Sequence, residues 1–175
     1  MQNCKKNKIE FYSTKGDYGY FSSFWFNAPF RLKNQNWRTR EHYFQAQKFV
    51  GTKYESEIRN IKSPMECAKA GRDRSKPLRK DWESVKYSIM LEAIVAQCEQ
   101  NPSFKKLLLE TGDAKLVEHT SNDDIWGDGG NGKGQNLLGK ALMEARSIMI
   151  AKAIPKTLSP GGNDGPIENC EKFFK

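Results

Sequence analysis

The stretch NDDIWGDGGNGKGQNLLGKAL, residues 122–142, joins a glycine-dense loop to a helix with a regular apolar face. Its glycines spell G-x-G-x-x-G from Gly127 to Gly132, which is the phosphate-binding pattern of dinucleotide folds. From the same first glycine they also spell G-x-x-x-x-G-K up to Lys133, the beginning of a nucleotide P-loop. The residues around the loop decide which pattern applies, and with it the fold class.

Neither nucleotide pattern fits those surroundings. A P-loop requires Ser or Thr after the lysine, because that hydroxyl binds Mg²⁺, and here the residue is Gly134. A dinucleotide fold requires a second parallel strand after the helix, whereas residues 155–175 have the Pro and Gly content of a flexible tail. We therefore interpret the stretch as a ligand-contacting loop, because adjacent glycines let backbone N–H groups approach an anion. A mobile surface turn is the alternative.

Outward from this loop, apolar periodicity and capping residues predict a largely helical chain. Thr39 is a predicted helix cap, and so is Ser63, which is followed by Pro64 and by Glu66 to complete a capping box. The predicted helices cover residues 40–50, 54–61, 64–71, 79–100, 102–111 and 137–154. Short strands are predicted within the aromatic-rich residues 9–32 and in KLVEHT, residues 115–120.

These elements predict a mostly helical α+β fold, organised as one compact domain over residues 9–154 with a few short strands. Residues 1–8 are then an N-terminal extension and residues 155–175 a tail. A chain of 175 residues can bury a core of this size without disulfides or a metal.

The sequence also indicates the cellular compartment and the state of the cysteines. No stretch has the apolar length of a membrane span, and MQNCKKNKIE lacks the hydrophobic segment of a signal peptide, so a cytoplasmic protein is expected. The cysteines contain no C-x-x-C pair and only two histidines accompany them, so we expect reduced thiols and no metal site. They are Cys4, Cys67, Cys98 and Cys170.

Positive charge dominates, with 29 Lys and Arg against 21 Asp and Glu and a net charge of +8. Such an excess favours polyanionic partners, namely phosphorylated metabolites, nucleotides or nucleic acid. The lysines are dispersed, however, so an ordinary basic surface is an equally good interpretation. The connector RDRSKPLRK, residues 72–80, has the same two interpretations, phosphate binding or a solvated basic segment.

Carboxylates are the best candidates for chemistry, and each has a structural alternative. Glu41 lies in the first turn of its helix, where it could serve only the helix dipole, worth about 0.3–1 kcal/mol. Asp123 and Asp124 precede Trp126, and acids at such positions often bond their own backbone in a turn. Trp82 falls on the apolar side of the long helix, which favours core packing.

Four segments in order carry a family resemblance: FYSTKGDYGYFSSF, TREHYFQAQKF, SPMECAKAGRDRSKPLRKDWESVK and KLVEHTSNDDIWGDGGNGKGQNLLGKALMEAR. From about Phe11 to Ile150 the chain resembles the NADAR family, also called YbiA-like. The resemblance implies a compact, largely helical α+β fold and N-glycosidase activity. Its implied substrates are the ribosylaminopyrimidine phosphates of early riboflavin biosynthesis or, alternatively, ADP-ribosylated guanine in DNA or RNA.

The resemblance also implies roles for individual residues. Cleavage of an N-glycosidic bond builds positive charge on the sugar C1, which a carboxylate stabilises while it positions or deprotonates water. Glu41, in EHYF, is the first candidate for that carboxylate, and Asp123 is the second, orienting ribose or water. Trp82 and Trp126 are predicted to stack on base or sugar and to exclude water. Water is the only second reactant, so no metal or organic cofactor is expected.

Phosphate binding is assigned to Arg72 and Lys76 of the motif G-R-x-R-S-K. Residues 127–134 are expected to close over the ligand. The further predicted substrate contacts are Ser23, Gly127, Gly129, Gly130, Lys133 and Asn136.

Three residues depart from the family pattern. Ser23 stands where asparagine is usual, Ile125 where an aromatic residue is common, and Arg40 where a small residue is common. The last of these could add a phosphate or nucleic-acid contact. A third functional hypothesis is a non-catalytic module that binds ADP-ribose or a nucleotide.

Overall fold

The structure is a computed structural model that describes residues 7–154. Residues 1–6 and 155–175 lie outside the described residues, and with them the predicted tail, most of the predicted N-terminal extension, Cys4 and Cys170. The described strands are β1 (Lys8–Phe11), β2 (Phe30–Leu32), β3 (Gln35–Trp37) and β4 (Lys115–Glu118). The described helices are α1 (Arg40–Gln47), α2 (Lys53–Asn60), α3 (Pro64–Gly71), α4 (Trp82–Gln100), α5 (Pro102–Glu110) and α6 (Leu137–Ala153). The mostly helical α+β prediction is confirmed.

The strands form two separate pairs. Strands β1 and β4 are parallel, and their register brings Phe11 opposite Glu118. Strands β2 and β3 form an antiparallel hairpin closed by Lys33 and Asn34, both with positive φ, 52° and 59°, as a two-residue hairpin turn of this kind requires. The sequence did not predict β3, because its three residues QNW are too short to show alternation.

Helix α1 lies at the centre of the fold and packs against α2, α3 and α4. All eight of its residues are buried, whereas the sequence predicted one buried face. The Thr39 side chain accepts a hydrogen bond from the backbone N–H of His42, which confirms the predicted cap. The helix ends at Gln47, earlier than predicted, and a turn at residues 48–51 follows.

The starts of α3 and α4 agree only in part with the sequence-based predictions. Ser63 caps α3 by accepting a hydrogen bond from the Glu66 backbone N–H, as predicted, but the Glu66 carboxylate pairs with Lys69 at 2.9 Å instead of closing the box. Helix α4 begins at Trp82 and not near residue 79. Arg79 is held outside it because its backbone N–H bonds the Lys48 carbonyl at 2.9 Å.

Helices α4 and α6 pack against each other, and α6 also covers β4. The core between these layers contains Ile94, Leu116 and Leu142, all completely buried. This packing fixes the carboxyl end of β4 beside α1, where the candidate site lies. Within residues 7–154 no helix has both the length and the apolar character that crossing a membrane requires.

Candidate active site

A cavity of about 230 Å³ opens between α1, the carboxyl end of β4 and the segment that leads into the glycine loop. It brings together five of the predicted site residues: Ser23, Glu41, Arg72, Asp123 and Trp126. Residues that were not predicted also line it, among them Phe24, Phe44, Gln45, Lys48, Glu118 and Thr120.

Glu41 is held in one orientation at the cavity wall. Its side chain is buried, and the Gln45 amide, one helical turn later, donates to Oε1 at 2.7 Å. The Ser23 hydroxyl donates to Oε2 at 3.0 Å, and the Ser23 carbonyl accepts from the Glu41 backbone N–H at 3.1 Å. Burial raises the pKa of the Glu41 carboxyl, and these hydrogen bonds together with nearby Lys48 and Arg72 oppose that rise. The cost of burial is thus partly offset by groups that favour the ionised form.

Two cations face the same cavity. Lys48 lies two helical turns after Glu41, and its ammonium group donates to the Gly71 carbonyl at 3.1 Å. Burial lowers the pKa of Lys48 to about 8, while the Glu41 carboxylate opposes this shift. Arg72, which follows the last residue of α3, is the second cation. Lys48 was not predicted from the sequence, although its seven-residue spacing from Glu41 places both on one helix face.

Aromatic rings form one side of the cavity. Trp126 and Phe44 meet edge to face with ring centroids 4.9 Å apart, and both line the cavity. Trp82 is 6 % exposed and also meets Phe44 edge to face, with ring centroids 4.9 Å apart, without lining the cavity. Trp82 therefore packs in the core, as its position on the apolar side of the helix indicated. It contacts two residues that line the cavity, Phe44 and Lys48, and the Lys48 ammonium lies 5.5 Å from the centre of the Trp82 ring.

Asp123 combines the two interpretations that its sequence allowed. Its Oδ1 accepts hydrogen bonds from the backbone N–H groups of Ile125 at 2.8 Å and Trp126 at 2.7 Å, which is the turn-forming arrangement. The residue also lines the cavity. Asp123 thereby orients the Trp126 backbone and remains within the site. Asp124 and the exposed Ile125 do not line this cavity.

Residues 127–134 of the glycine loop lie beside the cavity, and none of them lines its wall. Gly129 and Lys133 line a second, polar depression, which shares Asn122 and Asp123 with the cavity. Gly129 and Gly130 have positive φ, 70° and 73°.

The buried Gly127 serves close packing. A Cβ at this position would lie 2.7 Å from both the Asp123 carbonyl oxygen and the Thr120 methyl group. The glycines therefore allow the backbone to fold tightly next to the site. No loop glycine lines the cavity itself.

Two other predicted site residues, Asn136 and Lys76, use their side chains for contacts within the protein. The amide of Asn136 is used by β4, accepting from the Glu118 N–H at 2.9 Å and donating to the Leu116 carbonyl at 2.9 Å. Lys76 is outside the cavity wall and donates to the Ala70 carbonyl at 3.2 Å. Both side chains thus hold the fold, through contacts that the sequence did not indicate.

Arg40 does not supply the phosphate or nucleic-acid contact that its sequence position allowed. Arg40 is 1 % exposed, and its Nη2 donates to the carbonyls of Phe21 at 2.8 Å and Ser22 at 2.9 Å. Its guanidinium also lies 5.2 Å from the centre of the Phe104 ring. The side chain is thus committed to the core and cannot reach a ligand from outside.

Glu118, the last residue of β4, is a cavity acid that the sequence analysis missed. Burial, Asp123 and Glu41 raise the pKa of its carboxyl to about 8. Three acids, Glu41, Glu118 and Asp123, therefore share one cavity with two cations. Within residues 7–154 no group of three or more His, Cys, Asp and Glu side chains has an arrangement that could hold a metal ion, and Cys67 and Cys98 are buried free thiols.

Known proteins resemble the chain over nearly all of this domain. The NADAR domain family matches residues 10–150. N-glycosidase YbiA from Escherichia coli strain K12 is 58% identical over 140 residues, which cover 79% of this chain and 86% of that protein. The NMR structure of the E. coli protein YbiA matches with a TM-score of 0.76 and 52% identity, covering 86% of this chain and 92% of that one. This match agrees with the described fold.

A plant protein that is similar to the chain is named for riboflavin biosynthesis. Riboflavin biosynthesis protein PYRR, chloroplastic, from Zea mays is 37% identical over 175 residues, which cover 90% of this chain and 27% of that longer protein. With the family match and the extent of these identities, the chain belongs to the NADAR family.

Proposed function

We propose that this N-glycosidase of the NADAR family cleaves the bond between a base-like nitrogen and C1 of a phosphorylated ribose, with ribosylaminopyrimidine phosphates of riboflavin biosynthesis as substrates. The observation that carries the proposal is the Glu41 carboxylate, fixed by Ser23 and Gln45 at the wall of a cavity that also contains Lys48 and Arg72. The names of the relatives, N-glycosidase and riboflavin biosynthesis protein, support it.

Glu41 stabilises the charge that develops during cleavage. As the bond to nitrogen stretches, positive charge grows on C1 and the ring oxygen of the ribose. A carboxylate that is already oriented needs no reorganisation at that moment, and it acts strongly where water is excluded. The hydrogen bonds from Ser23 and Gln45 favour the ionised carboxylate and hold both of its oxygens in place. The same carboxylate positions the attacking water and accepts its proton.

Trp126 and Phe44 bind the base. Flat rings on one cavity wall offer apolar area to an aminopyrimidine and keep bulk water from the reacting bond. Asp123 lines the cavity beside Trp126, and it orients the ribose or the water there.

Arg72 and Lys48 bind the phosphate. A guanidinium forms paired, charge-assisted hydrogen bonds with phosphate oxygens, and an ammonium group adds a point charge. Both residues line the cavity, unlike Lys76. Lys48 therefore takes the role in phosphate binding that the sequence pattern attributed to Lys76.

The size of the cavity favours a compact substrate. Pockets that bury larger organic ligands have volumes of about 300–1,000 Å³, and this cavity has about 230 Å³. ADP-ribosylated guanine in DNA or RNA is the second candidate, and the net charge of +8 supports it because a strand is held by its phosphates. A non-catalytic binding module is disfavoured by the N-glycosidase name of a relative with 58% identity.

The test compares two substrates with the same protein. Base release is measured by chromatography from a ribosylaminopyrimidine phosphate and from an oligonucleotide that carries ADP-ribosylated guanine, each at low and moderate salt. We expect release from the metabolite with little dependence on salt. Release from the oligonucleotide alone, with a rate that falls steeply as salt rises, would replace the first substrate with the second. Release from neither by folded protein would overturn both.

A further inference from the structure

We propose that Glu118 is a further catalytic residue, the general acid that delivers a proton to the departing nitrogen of the substrate. The inference rests on the proposed N-glycosidase reaction in this cavity. That reaction requires two opposite proton tasks, because water must lose a proton while the leaving nitrogen must gain one. Glu118 lines the same cavity as Glu41, on a different structural element.

The backbone fixes the position of Glu118. Its N–H donates to the Asn136 side chain at 2.9 Å, and its carbonyl accepts from the Asp128 N–H at 2.9 Å. On the other side, β1 pairs with β4 so that Phe11 is opposite Glu118. The side chain is thus presented to the cavity by a strand end that is held from both sides, and a proton donor requires such a fixed position.

The two glutamates differ in what surrounds their carboxyl groups. The Glu41 carboxylate receives hydrogen bonds from Gln45 and Ser23, which favour the ionised form. No group within residues 7–154 donates a hydrogen bond to the Glu118 carboxyl. Burial raises the pKa of both carboxyl groups, but only Glu41 has hydrogen-bond donors that oppose the rise, so Glu41 is the better base of the two and Glu118 the better acid.

The charges that face Glu118 favour the same assignment. Asp123 and Asp128 of the glycine-loop region and Glu41 of α1 oppose its ionisation, and Arg40 of α1 is the cation that favours it. Lys48 and Arg72, which also line the cavity, act on Glu41. Burial and the three acids together raise the pKa of Glu118 to about 8, so the carboxyl is protonated at neutral pH.

The proposed step is balanced. The bond between C1 and nitrogen breaks, its electron pair remains on nitrogen, and that nitrogen takes the proton of the Glu118 carboxyl. A water oxygen bonds to C1, and the proton that this water loses passes to the Glu41 carboxylate. The products are a ribose phosphate with a hydroxyl at C1 and a free amine on the base. Transfer of one proton through solvent from Glu41 to Glu118 restores the starting state.

The test uses Glu118→Gln, which keeps the shape of the side chain but has no proton to transfer. Glu10→Gln is the matched control, because Glu10 lies on the neighbouring strand with an exposed side chain. Each protein is given a ribosylaminopyrimidine phosphate and 4-nitrophenyl ribose 5-phosphate, whose leaving group departs without a proton. Glu118→Gln should lose about 10²–10⁴-fold in kcat on the amine substrate and less than about tenfold on the nitrophenyl substrate. The control should match wild type on both.

The pH profile separates proton donation from a structural role. Wild-type kcat at saturating substrate should fall as pH rises above about 8, where Glu118 ionises, and Glu118→Gln should lack that fall. Lys48, whose pKa is also about 8, should affect KM, because it binds the phosphate. Equal losses on both substrates, or an unchanged alkaline limb in the variant, would overturn the assignment. If wild type cleaves neither substrate, the proposed function fails, and that outcome is distinct from a failure of Glu118.

A readout without turnover completes the test. Infrared difference spectra should contain a carboxylic acid band in wild type that disappears as pH rises through about 8 and is absent in Glu118→Gln. Because the pKa of Glu118 is raised from 4.5 in the folded state, wild type should lose stability as pH rises from 4.5 toward about 8, and the variant should lose less. Absence of the band in wild type would contradict the proposal even if the nitrophenyl substrate does not bind.

Discussion

Helix α1 and the glycine loop, residues 121–136, both contain buried acids, and they use them differently. In α1 the backbone satisfies its own hydrogen bonds, so the Glu41 carboxylate takes its donors from the side chains of Gln45 and Ser23. In the loop only some backbone N–H groups bond loop carbonyls, as Gly134 bonds Asp128 at 2.9 Å, and others bond carboxylate or amide side chains. The Asp128 carboxylate accepts hydrogen bonds from the N–H groups of Thr120 at 3.2 Å and Gly130 at 2.9 Å.

The difference shows how to distinguish a functional acid from a structural one. Glu41 lies in the first turn of α1, yet within residues 7–154 its carboxylate accepts from two side chains and from no backbone N–H, so its burial needs another reason, which a cavity with two cations supplies. A buried carboxylate in a glycine-rich loop replaces the missing backbone hydrogen bonds. We expect substitutions in α1 to change the reaction and substitutions in the loop to change the fold.

The largest expected effects come from a matched pair of isosteric substitutions. Glu41→Gln should reduce kcat by about 10²–10⁴-fold, because the charge on C1 loses its carboxylate, while the melting temperature is maintained. Asp128→Asn should reduce the free energy of unfolding by about 1–3 kcal/mol, because loop N–H groups lose a charged acceptor, with kcat per folded molecule nearly unchanged. Steady-state kinetics and urea unfolding measure both. If both variants lose kcat and unfolding free energy to the same extent, α1 and the loop do not use their acids differently.

Two glycine substitutions separate close packing from backbone conformation in the loop. Gly127→Ala should cost up to about 3 kcal/mol of unfolding free energy, because its Cβ would lie 2.7 Å from the Asp123 carbonyl oxygen. Gly132→Ala has open space around its Cβ and a φ of +76°, so about 1 kcal/mol is expected from conformation alone. Urea midpoints at constant m value provide the comparison. Equal costs would show that contact with Asp123 does not constrain Gly127.

A smaller effect should distinguish Arg72, which lines the cavity, from Lys76, which does not. Arg72→Ala should raise KM about 10–100-fold for a phosphorylated substrate, because a charge-assisted hydrogen bond is lost, and much less for the dephosphorylated one. Lys76→Ala should change KM little for either, because Lys76 lies outside the cavity wall. A larger KM effect from Lys76 than from Arg72 would return phosphate binding to the sequence-based assignment.

The smallest effect should come from the hydroxyl that orients Glu41. Ser23→Ala should reduce kcat about tenfold, since one charged hydrogen bond of 3.0 Å is removed while the carboxylate stays. Ser88→Ala, at an exposed position in α4, is the control. If Ser23→Ala raises KM and leaves kcat intact, Ser23 contacts the substrate, as the sequence predicted, and does not act through Glu41.

Local sequence signals predicted the helices well because caps and apolar spacing are properties of neighbouring residues. Thr39 and Ser63 cap as expected, whereas β3 was missed because three residues have no measurable period. The start of α4 was wrong because Arg79 is held by Lys48, a contact across 31 positions that no local pattern contains.

The site was predicted in part for the same reason. Glu41 and Asp123 were named, but the contact between Ser23 and Glu41 joins distant positions and requires the fold. Glu118 was missed because a strand pattern does not indicate which strand end meets a cavity. The two hydrogen bonds between Asn136 and β4 depend on tertiary packing, so the sequence could not indicate this structural role of Asn136.

The most direct measurement is calorimetric titration of intact ribosylaminopyrimidine phosphate into Glu41→Gln, with the same samples then analysed for released base. Glu57→Gln, an exposed glutamate of α2, is treated in parallel. We expect Glu41→Gln to bind the substrate and to release base at least about 100-fold more slowly than wild type, while Glu57→Gln releases base at the wild-type rate. Base release by folded Glu41→Gln at the wild-type rate would contradict the central role of this carboxylate in the reaction.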